Sequence, residues 1–177
     1  MVRVPSRIIA PRSRIIPSTR SLCAAVAGAV LCACGFRLVG SEPLPPSMSH
    51  PYVSLKDPYT DFSREFEHQL KSAGAVLQPA RQGATATIDV TRDQVSQRTL
   101  SVSAANIPTE YELTYTVTFS VQKADLDLLP SQTISLSKDY SFNQDLALAK
   151  QHEADILRQQ MARDLVAILM HRLTSLK

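Results

Sequence analysis

The residue types that most often carry chemistry are sparse in this chain and poorly spaced for it. The histidines are His50, His68, His152 and His171. His50 falls in a Pro-rich stretch. The others fall in helical patterns, with no histidine or cysteine partner at ligand spacing, so no metal site is expected. There is no Gly-rich phosphate loop, no CxxC pair, no HExxH and no GxSxG around any serine. Asp125 and Asp127 flank Leu126 in a turn-like stretch and read as solvated carboxylates. No catalytic residue, metal ligand or cofactor is assigned. An enzyme would need a site built from distant residues that spacing does not display.

Cysteine is the exception. All three, Cys23, Cys32 and Cys34, lie at or before position 34. They sit in or beside an apolar run from Leu22 to Ala33. Five arginines (Arg3, Arg7, Arg12, Arg14 and Arg20) and no acid precede that run. Its twelve residues are too few for a bilayer core of roughly 30 Å, which takes about 20. A basic start and a short apolar run make a secretory signal, removed from the mature chain. Leu31-Cys32-Ala33-Cys34 resembles the lipobox of bacterial lipoproteins: an aliphatic residue, a loosely chosen one, a small one, then the cysteine that becomes the N-terminus. Cys32 follows Leu31, which is not small, and Cys23 has no such pair before it. Cys34 is therefore the expected lipidation site, tethering the protein to a membrane without spanning it. Two or more acyl chains give stable anchoring where one does not. Gly35, rather than Asp, follows the cysteine; by resemblance to enterobacterial sorting this points to the outer membrane.

Processing changes the charge argument. The whole chain carries nineteen Lys and Arg against sixteen Asp and Glu, a formal +3. Without the five leader arginines the balance turns slightly acidic, about −2. No basic domain for nucleic acid is left. The expected organisation is a signal peptide over 1–33, a lipidated cysteine with a Pro-rich tether over 34–51, and a single domain over 52–177.

Hydropathy patterning outlines that domain. "YVSL", 52–55, is a short strand. Asp57-Pro58 reads as a helix start. Phe62, Phe66, Leu70 and Ala73 then recur at helical spacing, and Gly74 is the stop. From residue 84 the period becomes two, through Ala86, Ile88 and Val90, with a phase slip between Arg92 and Gln97 that suggests a bulge. Tyr111, Leu113, Tyr115, Val117, Phe119 and Val121 alternate strictly with polar residues, the mark of a long strand with one buried face. "AANIPT", 104–109, joins these two strands. A third long strand follows "DLDLLPS", with Ile134, Leu136, Tyr140 and Phe142 on one face. A final helix spans about 145–176, with Leu157, Met161, Leu165, Ile168, Leu169, Leu173 and Leu176 on one stripe. The expected fold is α+β: an antiparallel sheet of about four strands with two helices packed on one face. The other face is rich in Thr and Ser. It is either a plain solvated surface or one that meets another protein through hydroxyls.

In this order the segments resemble the LPS-assembly lipoprotein family LptE, also called RlpB. "CGFRL", 34–38, is similar to that family's mature start. "FEHQLKSAGAVL", 66–77, is similar to its helix and turn, "TEYELTYTVTFSV", 109–121, to its central strand, and "LALAK", 146–150, to the beginning of its last helix. The resemblance implies an outer-membrane lipoprotein on the periplasmic side that plugs and supports assembly of the LptD β-barrel in lipopolysaccharide transport. It implies lipopolysaccharide as a ligand, with Lys150 at a lysine position of the family pattern. The hairpin before the central strand reads "SAANIPT" and lacks the basic residue that family members can carry there; Arg98, just upstream, is the candidate substitute. The alternatives are a periplasmic lipoprotein accessory of a lipid ABC transporter and a lipid-anchored hydrolase.

Overall fold

The chain begins strand, helix, strand, and that order dictates the first pairing. The computed structural model describes residues 44–124 and 126–176. Strand β1 (Pro51–Leu55) leads into helix α1 (Asp61–Ser72) and then β2 (Ala86–Val102). β1 and β2 are hydrogen-bonded neighbours and run parallel, with Pro51 opposite Ala86 and Leu55 opposite Val90. The helix crossing between these adjacent strands brings the chain back to the end where it started, which makes the pair parallel. Strands β3 (Pro108–Lys123) and β4 (Leu126–Ser141) add antiparallel neighbours. The four-stranded sheet has the order β1-β2-β3-β4. The expected antiparallel sheet is thus corrected to a mixed one, while the α+β class and the strand count stand.

Helix α1 does not start at Asp57-Pro58. Its N-cap is Thr60, whose hydroxyl accepts from the Ser63 amide at 3.0 Å. Asp57 instead folds its own turn, accepting from the Tyr59 amide at 2.8 Å. Gly74 ends the helix at φ +89. There the Gly74 amide reaches the Lys71 carbonyl and the Ala75 amide reaches that of Leu70, both at 3.0 Å. This is the left-handed stop that glycine permits without steric cost. Phe62, Phe66 and Leu70, one turn apart, are fully buried, and the two rings stack at 5.7 Å.

β2 changes phase at an irregularity between Val90 and Arg92. The extra residue lets Ala86, Ile88 and Val90 face the helices, then turns Asp93 and Val95 to that side as well. β4 is longer than its hydropathy suggests, because "LDLLPS", 126–131, belongs to it. Phe119 and Val121 of β3 face Gln132 and Leu129, so β4 holds one extra residue around Pro130. An edge strand tolerates a proline there because its missing N–H can lie on the unpaired side.

A single turn over Gln144–Leu146 leads into helix α2, Ala147–Thr174. At about 1.5 Å per residue its 28 residues run roughly 42 Å. Met161, Leu165, Leu169 and Leu173 form one buried row and Ala162 and Val166 a second. These rows, the α1 aromatics and the inward residues of β2 to β4 form one core. Both helices therefore lie on the same face of the sheet, and the opposite face is left open.

Candidate functional site

The open face is built by alternation. On β3 the residues between buried Leu113, Tyr115, Val117 and Phe119 are Thr114, Thr116 and Thr118, which must point away from the core. Each meets a hydroxyl directly opposite on β4. Thr114 pairs with Ser137 at 2.9 Å, Thr116 with Ser135 at 3.0 Å and Thr118 with Thr133 at 2.9 Å. The Ser96 hydroxyl donates to the Thr114 carbonyl at 3.4 Å from β2. These bonds give a stripe of small uncharged side chains along β3 and β4, bordered on β2 by Arg92 across from Thr118, that can still exchange hydroxyl partners with an incoming surface.

Toward the β2–β3 hairpin the same face becomes charged. Arg98 on β2 lies across from Glu112 on β3, which lies across from Asp139 on β4. The guanidinium grips Glu112 with two bonds, Nε to Oε2 at 2.6 Å and a second nitrogen to Oε1 at 3.1 Å. This hydrogen bond raises the Arg98 pKa and lowers that of Glu112. Arg98 thus stands on the open face, but its charge is spent on the sheet.

Lys150 lies at the same end of the sheet but on its covered side, projecting from α2 into a groove between that helix and the hairpin end of β2 and β3. Its ammonium reaches the Ser141 hydroxyl at 3.1 Å and Glu153 at 2.8 Å. Arg98 does not line this groove, so the fold does not bring the two expected lipopolysaccharide contacts into one pocket. Cys34 lies outside the described residues. Among the described residues no group of three His, Cys, Asp or Glu could hold a metal ion, and no helix is long and apolar enough to cross a membrane.

The groove contains side chains that sequence reasoning passed over. Tyr111 and Tyr140 sit 5.6 Å apart, and Phe142 meets the Tyr111 ring edge-on at 5.3 Å. Arg158 and Gln151 of α2 line the opposite wall. Burial, then the neighbouring Tyr111, raises the Tyr140 pKa and keeps its hydroxyl protonated. One sequence signal was available. The bulky stripe of α2 stops at Leu157, and Ala154, Gln151, Lys150 and Ala147 continue it with small or polar side chains.

Fold and surface together define a small α+β domain with one covered and one open sheet face, presenting no catalytic constellation among the described residues. Residues 50–173 match the family model described as LptE, lipopolysaccharide-assembly, and the chain belongs to that family. The LPS-assembly lipoprotein LptE of Yersinia enterocolitica is 27% identical over 146 residues, covering 81% of this chain and 70% of the relative. The protein of the same name from Yersinia pestis is 27% identical over 145 residues, with the same coverage. The fold is shared with lipoprotein B from Nitrosomonas europaea (TM-score 0.67, 24% identity, 80% of this chain and 91% of that one). It is also shared with rare lipoprotein B from Shewanella oneidensis (TM-score 0.63, 23% identity, 71% and 94%).

Proposed function

We propose that this protein is a non-catalytic, lipid-anchored component of lipopolysaccharide assembly that seats inside the LptD barrel at the periplasmic side of the outer membrane. The observation that carries the reading is the open sheet face of paired hydroxyls. The lumen wall of a large outer-membrane barrel is polar. A stripe of Thr and Ser fits such a wall, because every hydroxyl can donate or accept and none brings a charge that must be desolvated. Residues 1–33 act as the signal, Cys34 carries the lipid, and the residues after it tether the lipid to the domain, which begins before position 52, since Met48 is fully buried in the core and Pro51 pairs with Ala86.

The same reading assigns lipopolysaccharide contact to Lys150, with Arg98 as a second contact. Lys150 is the stronger assignment. Its partner Glu153 is half-exposed and three residues away on the same helix, a pairing worth little in water. A phosphate can therefore take its place through a charge-assisted bond. Arg98 contributes only by leaving Glu112.

The test is an affinity pull-down of the tagged, membrane-extracted protein, with mass identification of what survives detergent washing. A near-stoichiometric outer-membrane barrel is the expected product. Recovery of an inner-membrane transporter would favour the accessory role instead, and recovery of no partner would remove the plug reading.

A further inference from the structure

Helix α2 continues for more than three turns beyond its last fully buried large residue, Met161, toward its N-terminus. Over that length it spans the β2–β3 hairpin end of the sheet without closing on it. Ala154 and Ala147 stand where bulkier residues would fill the gap, and the space left is a groove of about 490 Å³. That volume lies in the ordinary range of small-molecule sites, about 300–1,000 Å³.

The lining is two-sided in chemistry. The sheet supplies the rings of Tyr111, Tyr140 and Phe142, with Leu113 and Val95 beside them. The helix supplies the Lys150 ammonium, the Arg158 guanidinium and the Gln151 amide. The Lys150 side chain is only 17% exposed. Among the described residues the ion pairs of both cations are with acids three residues away on their own helix, Glu153 and Asp155, each of those about half-exposed, and Lys150 donates to the Ser141 hydroxyl as well. Such pairs exchange readily for a better anion.

A single acyl chain would be served by a dry, aliphatic wall, and this groove is not one. A pyranose ring has an apolar C–H face and a polar edge, matching an aromatic floor beneath amide and hydroxyl groups. Lys150 and Arg158 stand eight residues apart on the helix, about 12 Å along its axis, so a phosphate on that ring would meet one of the two cations, and that of Arg158 can bind it in a fork. We propose that the groove between the Tyr111–Tyr140–Phe142 cluster and the Lys150–Arg158 segment of α2 binds a phosphorylated sugar ring. This rests on the lipopolysaccharide reading above and deepens it: the groove would take the phosphorylated saccharide of that ligand rather than its acyl chains.

The chain has no tryptophan, and two of its five tyrosines, Tyr111 and Tyr140, line the groove, so a change in tyrosine emission that is lost in Tyr140→Leu reports its occupancy. The full-length, lipidated protein in detergent is titrated with glucosamine 1-phosphate, glucosamine, inorganic phosphate and dodecyl phosphate. The expected result is saturable binding of glucosamine 1-phosphate at least fivefold tighter than any of the other three. Arg158→Gln and Gln151→Ala should each weaken it at least threefold without moving the thermal unfolding midpoint. Tyr140→Leu, which keeps bulk but removes the ring, should weaken it further. Equal affinity for inorganic phosphate would reduce the site to an anion contact and overturn the proposal. So would tighter binding of dodecyl phosphate, or no binding by the folded protein. Intact lipopolysaccharide is titrated in parallel with the wild type and with Lys150→Ala. If it binds and Lys150→Ala weakens it while the sugar phosphate does not bind, the groove assignment fails and the lipopolysaccharide reading survives. If intact lipopolysaccharide does not bind, that reading fails by itself.

Discussion

Arg98 and Glu112 face each other across β2 and β3, with guanidinium Nε and carboxylate Oε2 2.6 Å apart on the open side of the sheet. Asp139 stands across from Glu112 on the next strand, so the Arg98 charge on the other side of Glu112 offsets the repulsion between two neighbouring carboxylates. The bond lowers the Glu112 pKa, so its contribution to stability is complete above the unfolded value of 4.5 and is lost as pH falls through the lower folded value. Glu112→Gln should therefore lower the thermal midpoint at pH 7, with the difference from wild type shrinking toward zero as the pH is taken from 5 to 2. A difference that stays constant across that range would show that the ionised pair is not responsible.

Asp93 is an acid turned toward the helices by the irregularity between Val90 and Arg92. Its carboxylate accepts from the Thr60 hydroxyl, the N-cap of α1, and from Ser63 at 3.5 Å. It thus ties the start of the helix to the middle of β2. Asp93→Ala should cost about 1–3 kcal/mol, the usual range when partly buried hydrogen-bonding groups lose their partner. Urea unfolding at pH 7 measures it, and a loss under about 0.5 kcal/mol would mean that the cap holds without the carboxylate.

Burial, then the Asp93 charge, raises the Tyr115 pKa above the usual tyrosine value. The folded state favours the neutral phenol, so this stability is complete below pH 10 and declines as pH rises beyond it. Tyr115→Phe should show a shallower loss of stability between pH 9 and 11 than wild type. Parallel slopes in chemical unfolding would assign the alkaline transition to other groups.

On the open face, Thr116→Arg tests whether the hydroxyl stripe is a contact surface. Thr116 points away from the core, so the fold should lose no more than about 0.5 kcal/mol. Barrel recovery in the pull-down should fall at least tenfold, because a cation would be carried into a close polar contact. Undiminished recovery would leave the stripe as an ordinary solvated face.

The two proposed roles are separable. Lys150→Ala should weaken lipopolysaccharide binding several-fold and leave barrel recovery unchanged, since Lys150 faces the groove and not the hydroxyl stripe. Cys34→Ala should abolish incorporation of labelled fatty acid, and labelling that persists would move the processing site elsewhere.

Strict alternation from Tyr111 to Val121 was enough to predict β3 and its buried face, because a pleated strand sends successive side chains to opposite sides. The i, i+4 spacing of Phe62, Phe66 and Leu70, with Gly74 after them, was enough for α1 and its stop. The hydroxyl stripe was visible as the polar half of the same alternation. β4 was legible only in part. "DLDLLPS" has turn-like composition, and pairing with Val121 and Lys123 drew its residues from Leu126 onward into the sheet. The helix start moved from Asp57 to Thr60 for a similar reason: both residues can cap, and only Thr60 also reaches Asp93.

Local sequence by itself determined the elements whose signal is periodic or positional: β2 and β3, the body of both helices and the glycine stop. The tertiary structure decided what depends on residues far apart in the chain. It made the first strand pair parallel, because adjacency in the sheet and not hydropathy sets strand direction. It spent Arg98 on Glu112, fourteen residues away. It also opened a groove where Tyr111, Tyr140 and Phe142 meet the sparse beginning of α2, since a cavity is a mismatch between two packed surfaces and neither surface records it alone.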